Sequence, residues 1–218
     1  NRSFSPLAVS FPFQTVILQS SPSMIRRLTV FLSAILVLIL LISLRPAEDW
    51  NLYTFKEPHM GTEITIRVWA QEGLLADMTR STEMAIARIA EINRIASDYL
   101  PESEINDFAR APANMPLPVS QDLYRLLKFS AELSEETGGA FDVTVGPFVR
   151  LWRIARKNRE LPSREQIEKA RRRSGAELLE FFPQTQEIKK KSEAMRFDLG
   201  GVAKGYAADA ALKILQEK

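Results

Sequence analysis

The chain has 218 residues, 45% of them hydrophobic and 26% charged, which suits one globular body or part of one. A formal net charge of +2 lacks the concentrated basic surface that nucleic-acid binding needs, so no nucleic-acid partner is expected. With no cysteine and a single histidine, His59, the chain excludes thiol catalysis, disulfides, cysteine zinc sites and multi-histidine metal sites; any metal would be a hard cation on oxygen, Mg2+ before Zn2+.

Residues 1–23 are rich in Ser, Pro and Phe, show no periodicity and precede the first methionine, Met24, so they read as a non-native upstream extension. From Met24 the order is Arg26-Arg27, then Leu28 to Leu44 without a charge, and these 17 residues would span about 26 Å as a helix. Residues 24–46 are therefore expected to form one N-terminal hydrophobic helix, a signal anchor rather than a cleaved signal, because Arg45 spoils a small-x-small site at Ala47. The arginines keep its start in the cytoplasm and send the body, 50–218, to the outer face.

In that body, Ile64, Ile66 and Val68 alternate with Thr65, Arg67 and Trp69, which predicts a half-buried strand. Leu75, Met78, Ile86, Ile89 and Ala96 recur at helical spacing from Leu74 to Ala96. The stretch 97–120, with four prolines, reads mostly as loop. Ser120 caps a second helix with an apolar stripe of Leu123, Leu126, Leu127 and Leu133, stopped at Thr137-Gly138-Gly139. "AFDVTVGP" reads as a strand or an extended entry to a turn, and Ser163 opens a third helix with a capping box to Gln166. Leu178 to Phe182 and Glu187 to Lys190 predict a hairpin leading to a strand over Met195–Leu199. Ala207, Ala211, Ile214 and Leu215 mark the face of a last helix. Strands and helices mix without strict βαβ alternation, so the fold class is α+β. The runs Arg171–Arg173 and Lys189–Lys191 are expected to face solvent, and His59 to be exposed.

"DLGGVAKG", 198–205, supports two readings. Gly200 and Gly201 can adopt positive φ or admit a ligand close to the backbone, the following helix offers unpaired N–H groups to an anion, and Lys204 in its first turn wants a negative partner. The segment can equally be an ordinary strand-to-helix turn with a surface lysine. Asp142 beside Phe141 can hold a ligand hydroxyl or cap a turn, and Tyr99 can stack on a flat ligand or sit half-buried in its loop. No catalytic residue is identified.

In order, "MGT" at 60–62, "SDYLPESEIN" at 97–106, "TGGAFDVTVGP" at 137–147 and "DLGGVAKGYAADAA" at 198–211 resemble the ApbE-type flavin transferases, the FAD:protein FMN transferases. The resemblance covers Tyr53 to Lys218 and implies a mixed α/β sheet-and-helix domain that moves FMN from FAD to a threonine hydroxyl of an acceptor protein, with Mg2+ and release of AMP. It places Met60, Tyr99, Ala140, Phe141, Asp142, Asp198 and Lys204 against FAD and offers the Gly201 carbonyl to Mg2+. The implied acceptor is an exported flavoprotein such as a respiratory oxidoreductase subunit, and the implied place is the outer face of a bacterial cytoplasmic membrane. In the family a second half supplies the metal-binding side chains, so the domain is expected to be incomplete at its C-terminus, inactive alone and marginally stable. The alternatives are a relative that only binds or hydrolyses FAD, and a tethered interaction module that binds none.

Overall fold

The computed structural model describes residues 22–43 and 49–217. They fall into two units, one within Asn1–Glu48 and one within Asp49–Lys218. In the first, α1 runs over Pro22–Ser43; the remainder of the expected extension and anchor lies outside the described residues. Among the described residues no helix is long and apolar enough to cross a membrane.

The second unit begins with a hairpin, β1 (Trp50–His59) against β2 (Thr62–Gln71), in register from Trp50↔Gln71 to His59↔Thr62. Ile64, Ile66 and Val68 are half-buried and alternate with exposed neighbours, as the period predicts. β1 was hidden in the sequence by its Lys56-Glu57-Pro58 end, and proline is tolerated there because β1 pairs on one side only, with β2. The two-residue turn, Met60 at φ 54° and Gly61 at φ 71°, has the signature of type I′, whose twist matches the strands. His59 is not exposed: its Nε2 is buried without a hydrogen bond, 3.4 Å from Glu57 Oε2.

The long helix α2 (Leu75–Ala96) buries Met78, Ala85, Ile89, Ile92 and Ala96, whereas Leu75 is exposed and Ile86 only half-buried. Ala85, Ile89 and Ile92 pack with Ala207 and Ala211 of the last helix, α7 (Ala203–Gln216), and with Ile64 and Ile66 of β2. Alanine at those contacts lets the two helix backbones approach closely.

A second core gathers Phe108, Leu123, Leu126, Leu127, Ile188, Met195, Phe197 and Leu199. It draws on α3 (Glu104–Arg110), β3 (Leu117–Pro118), α4 (Gln121–Glu136), β4 (Leu179–Phe182) and β5 (Glu187–Lys190), the strands forming an antiparallel sheet β3-β5-β4, while α5 (Gly146–Asn158) and α6 (Arg164–Arg171) pack on each other outside it. The expected caps are present at Ser120 and in the Ser163–Gln166 box, and Gly138 follows α4 at φ 60°.

Several expectations need correction. The 97–120 stretch contains α3, because Ser103 accepts from the Asn106 backbone N–H as an N-cap and Ile105, Phe108 and Ala109 are buried. Gly146-Pro147 does not end a strand; Pro147 sits in the first turn of α5, where its missing N–H costs nothing. Met195–Leu199 is an extended segment that buries Met195, Phe197 and Leu199, joined to its neighbour by one parallel bridge, Val145↔Arg196, and by Asp198 N–H donating to the Val143 carbonyl.

Lys190 also departs from its expected place in a solvated run. Its side chain has 0% exposure, and Nζ donates to the carbonyls of Ala109 (2.9 Å) and Glu193 (3.4 Å). Ala109 lies in the last turn of α3, whose unpaired carbonyls attract a cation, so a lysine of β5 closes that helix end. Burial pushes its pKa below the ordinary lysine value. In the arginine run, Arg171 and Arg172 are exposed and Arg173 half-buried.

Candidate functional site

Three backbone segments meet at the hairpin tip. The Met60-Gly61 turn, the C-terminal end of α2 with residues 97–100, and the turn entering α7 surround an open cleft of about 640 Å³, with Arg153 of α5 at its wall.

The loop after α2 is fixed from below. Ser103 Oγ donates to the Ser97 carbonyl at 2.6 Å, and Asn106 Nδ2 donates to the carbonyls of Ser97, Asp98 and Leu100, the last at 2.8 Å. These bonds hold Tyr99 out, with 74% of its surface open. Arg153 reaches across: Nη1 donates to Asp98 Oδ2 at 2.9 Å, Nη2 donates to the Tyr99 hydroxyl at 2.9 Å, and Asp198 Oδ2 stands 4.0 Å away. Burial works against the guanidinium charge, but Asp98, Tyr99 and Asp198 outweigh it and hold the pKa above its ordinary value.

At the glycine turn, Asp198 Oδ1 accepts from the Gly200 N–H at 3.0 Å, a local turn that fixes the carboxylate. No side chain caps α7; the Val202 and Ala203 N–H groups donate to the Leu199 carbonyl, and the helix's dipole end faces the turn beside Lys204, whose Nζ lies 3.5 Å from the Gly200 carbonyl. Neither Gly200 nor Gly201 has a positive φ. Glycine is needed for space instead: a Cβ on Gly201 would stand 3.1 Å from the Phe141 ring.

Met60, Tyr99, Asp198 and Lys204 thus share one cleft. Ala140, Phe141 and Asp142 do not line it. Ala140 is exposed, Phe141 packs behind Gly201, and Asp142 Oδ1 accepts from the Thr144 N–H at 2.8 Å. Arg153, Asp98, Ser103 and Asn106 escaped the sequence reading; the Ser-x-x-Asn spacing before a buried Phe108 is the signal that could have exposed the cap.

A network behind the cleft locks its helices. Asp122 Oδ1 of α4 accepts from Arg88 Nη2 of α2 at 2.5 Å and from the Tyr206 hydroxyl of α7 at 2.6 Å. Burial opposes the Asp122 charge, yet Arg88 and Tyr206 hold its pKa below the ordinary carboxylate value.

Two cations and a helix start without a side-chain cap suit a diphosphate, and a largely exposed tyrosine ring with the Arg153 guanidinium 4.5 Å over one face suits a flat heterocycle on the other, so the residues fit a dinucleotide such as FAD. For Mg2+ the cleft offers oxygen donors only, the carboxylates of Asp98 and Asp198 and backbone carbonyls; Gly201 does not line it but a neighbouring hollow, beside Arg125, Phe129 and Tyr206. The described residues contain no group of three or more His, Asp or Glu side chains able to hold a metal.

Fold and cleft together define an α+β domain with a charged cleft at a glycine turn between two packed helices. The model of the ApbE family matches residues 60–218, and the chain belongs to that family. It is 34% identical over 152 residues to an FAD:protein FMN transferase of Chlamydia pneumoniae, covering 68% of this chain and 48% of that one. It is 31% identical over 176 residues to the FAD:protein FMN transferase of Vibrio cholerae, covering 80% and 51%. The solved flavin transferase ApbE of Vibrio cholerae superposes with a TM-score of 0.67 at 26% identity, covering 78% of this chain and 54% of that one. The chain spans about half the length of the curated relatives it matches.

Proposed function

We propose that this protein is a Mg2+-dependent FAD:protein FMN transferase. The threonine hydroxyl of an acceptor protein attacks the FMN-side phosphorus of FAD, the P–O–P bond to the AMP half breaks, AMP leaves, and the hydroxyl proton passes to solvent or a base. The observation that carries this reading is the convergence of Met60, Tyr99, Asp198 and Lys204 on one cleft, joined there by Arg153.

In this scheme Lys204, Arg153 and the start of α7 hold the diphosphate and Tyr99 stacks on a ring of FAD. Asp98 and Asp198 aim Arg153, and the Phe141 ring backs Gly201 so that the turn keeps its shape. Such groups act by positioning and by balancing charge, which is most of what phosphoryl-type transfer asks of a protein. Mg2+, when bound, supplies charge neutralisation at the diphosphate.

The test is to supply FAD, Mg2+ and a threonine-bearing acceptor and follow covalent flavin on the acceptor together with AMP. Labelled acceptor, lost with Lys204→Ala, is expected. FMN and AMP released with unlabelled acceptor would replace transfer by hydrolysis, and absence of FAD binding would end the reading.

The arginine pair followed by the apolar run from Leu28 to Leu44 supports a further part of the proposal, that the protein is anchored at a bacterial cytoplasmic membrane with its body on the outer face. Protease added to intact spheroplasts should cleave the body; protection would place it inside.

A further inference from the structure

On another face of α5 from Arg153 lies a second concave surface, of about 470 Å³, between α3, α5, α6 and residues 193–196. Arg110, Arg150, Lys169, Arg173 and Arg196 line it, against one acid, Glu193. In a chain of net charge +2 this is a strong local concentration of one sign. Arg110 is paired with Asp107, but Arg150, Lys169, Arg173 and Arg196 have no ion-pair partner among the described residues. Burial, then the like charges of Arg150 and Arg110, push the Arg196 guanidinium below its ordinary pKa.

The floor is apolar, with Leu151, Ile154 and Met195. Leu151 and Ile154 also line a neighbouring hollow of about 470 Å³ that runs on past Leu161 and Pro162. Leu161 is 81% exposed and Ile154 47%. The whole is a groove with a cationic end and a mixed end, where Ile154, Leu161 and Pro162 stand beside Glu160 and Glu165, longer than an inorganic anion needs and concave where a flat lipid surface would need a convex or planar patch.

We propose that this groove binds an acidic, apolar-flanked segment of a partner protein. Its carboxylates meet the unpaired arginines and its apolar side chains cover Leu151, Ile154 and Leu161. The groove borders the candidate active cleft: Arg150 and Arg153 lie one turn apart on α5, and Arg196 and Asp198 two residues apart in one extended segment. The partner is therefore the flavin acceptor, and only this last identification rests on the transferase reading.

The experiment titrates the full chain into a fluorescein-labelled peptide of four glutamates followed by four leucines, read by anisotropy, with FAD binding measured separately on the same samples. Binding is expected to weaken at least about tenfold when glutamine replaces glutamate, and about as much in the double variant Arg150→Glu/Arg173→Glu. It should survive Lys56→Glu/Lys128→Glu, which changes net charge equally elsewhere. Equal binding of the glutamine peptide, or no loss in the groove variant, overturns the proposal. So does a face that takes pyrophosphate or phosphatidylglycerol vesicles through Arg150 and Arg173 but not the peptide. FAD binding that fails while the peptide binds removes the transferase reading and leaves the groove; FAD binding with no peptide binding does the reverse.

Discussion

Two arginines one turn apart on α5 live in different worlds. Arg153 is held by Asp98 and Tyr99 with Asp198 at 4.0 Å, whereas Arg150 stands among Arg110, Arg173 and Arg196 at the cationic end of the groove, where Glu193 is the one acid in the lining. A cation with its counter-ions in place is a fixed part of an architecture, pre-set before anything binds. A cation without them is an unfilled valence on the surface. One wall therefore separates a cleft that is organised in advance from a groove that waits for charge from outside.

The comparison can be broken first at Lys190, which holds the α3 side of the groove through the Ala109 and Glu193 carbonyls. Lys190→Ala leaves both acceptors and a cavity behind, at a cost of about 2–4 kcal/mol in urea unfolding. Because the folded-state pKa of Lys190 is lowered, wild-type stability should rise as pH climbs from that folded value toward the unfolded one near 10.5, and Lys190→Met should flatten the rise.

Next is Arg153→Ala, which deprives Asp98 of its partner and the cleft of a cation. Calorimetry should show FAD binding about 10–30 fold weaker, with Arg153→Lys recovering part as a point charge. Charge reversal at Arg150 should leave FAD affinity alone; an equal loss there would erase the distinction between the two sites.

A smaller effect lies at Asp122, behind the cleft. Its folded pKa is depressed, so its contribution is complete above the ordinary value of 3.8 and fades as pH falls through the folded value. Asp122→Asn should cost about 1 kcal/mol at neutral pH and remove that acid-side slope. Smallest is Gly201→Ala, whose Cβ meets a half-buried ring that can yield by a few tenths of an ångström. It should cost under about 1 kcal/mol by thermal melting and weaken FAD binding a few fold.

Legibility in the sequence followed burial. β2, α4, α6, α7 and the β4–β5 hairpin carry clean periods and caps, and each was readable. α5 was not, although Phe148, Leu151, Trp152 and Ala155 stand at i, i+3, i+4 and i+7, because Gly146-Pro147 read as the end of a strand rather than as the first turn of a helix. Arg153 was lost with it. Lys190 was misplaced because a run of three lysines reads as solvated, and nothing local says that the middle one closes a helix 81 residues away. The glycine turn was found, but its reason differed: the turn needs room for Phe141 rather than a left-handed backbone.

The tip of the first hairpin carries a cost of its own. A type I′ turn asks for Asn or Gly at its first position, and the chain puts Met60 there at φ 54°. A bulky side chain in that conformation sacrifices on the order of 1 kcal/mol. What is gained is a polarisable thioether at the cleft, packed against both cores. Selection for heat resistance alone would drive this position to asparagine or glycine. The first variant to emerge from such a screen should be sturdier than its parent and poorer at holding a flavin.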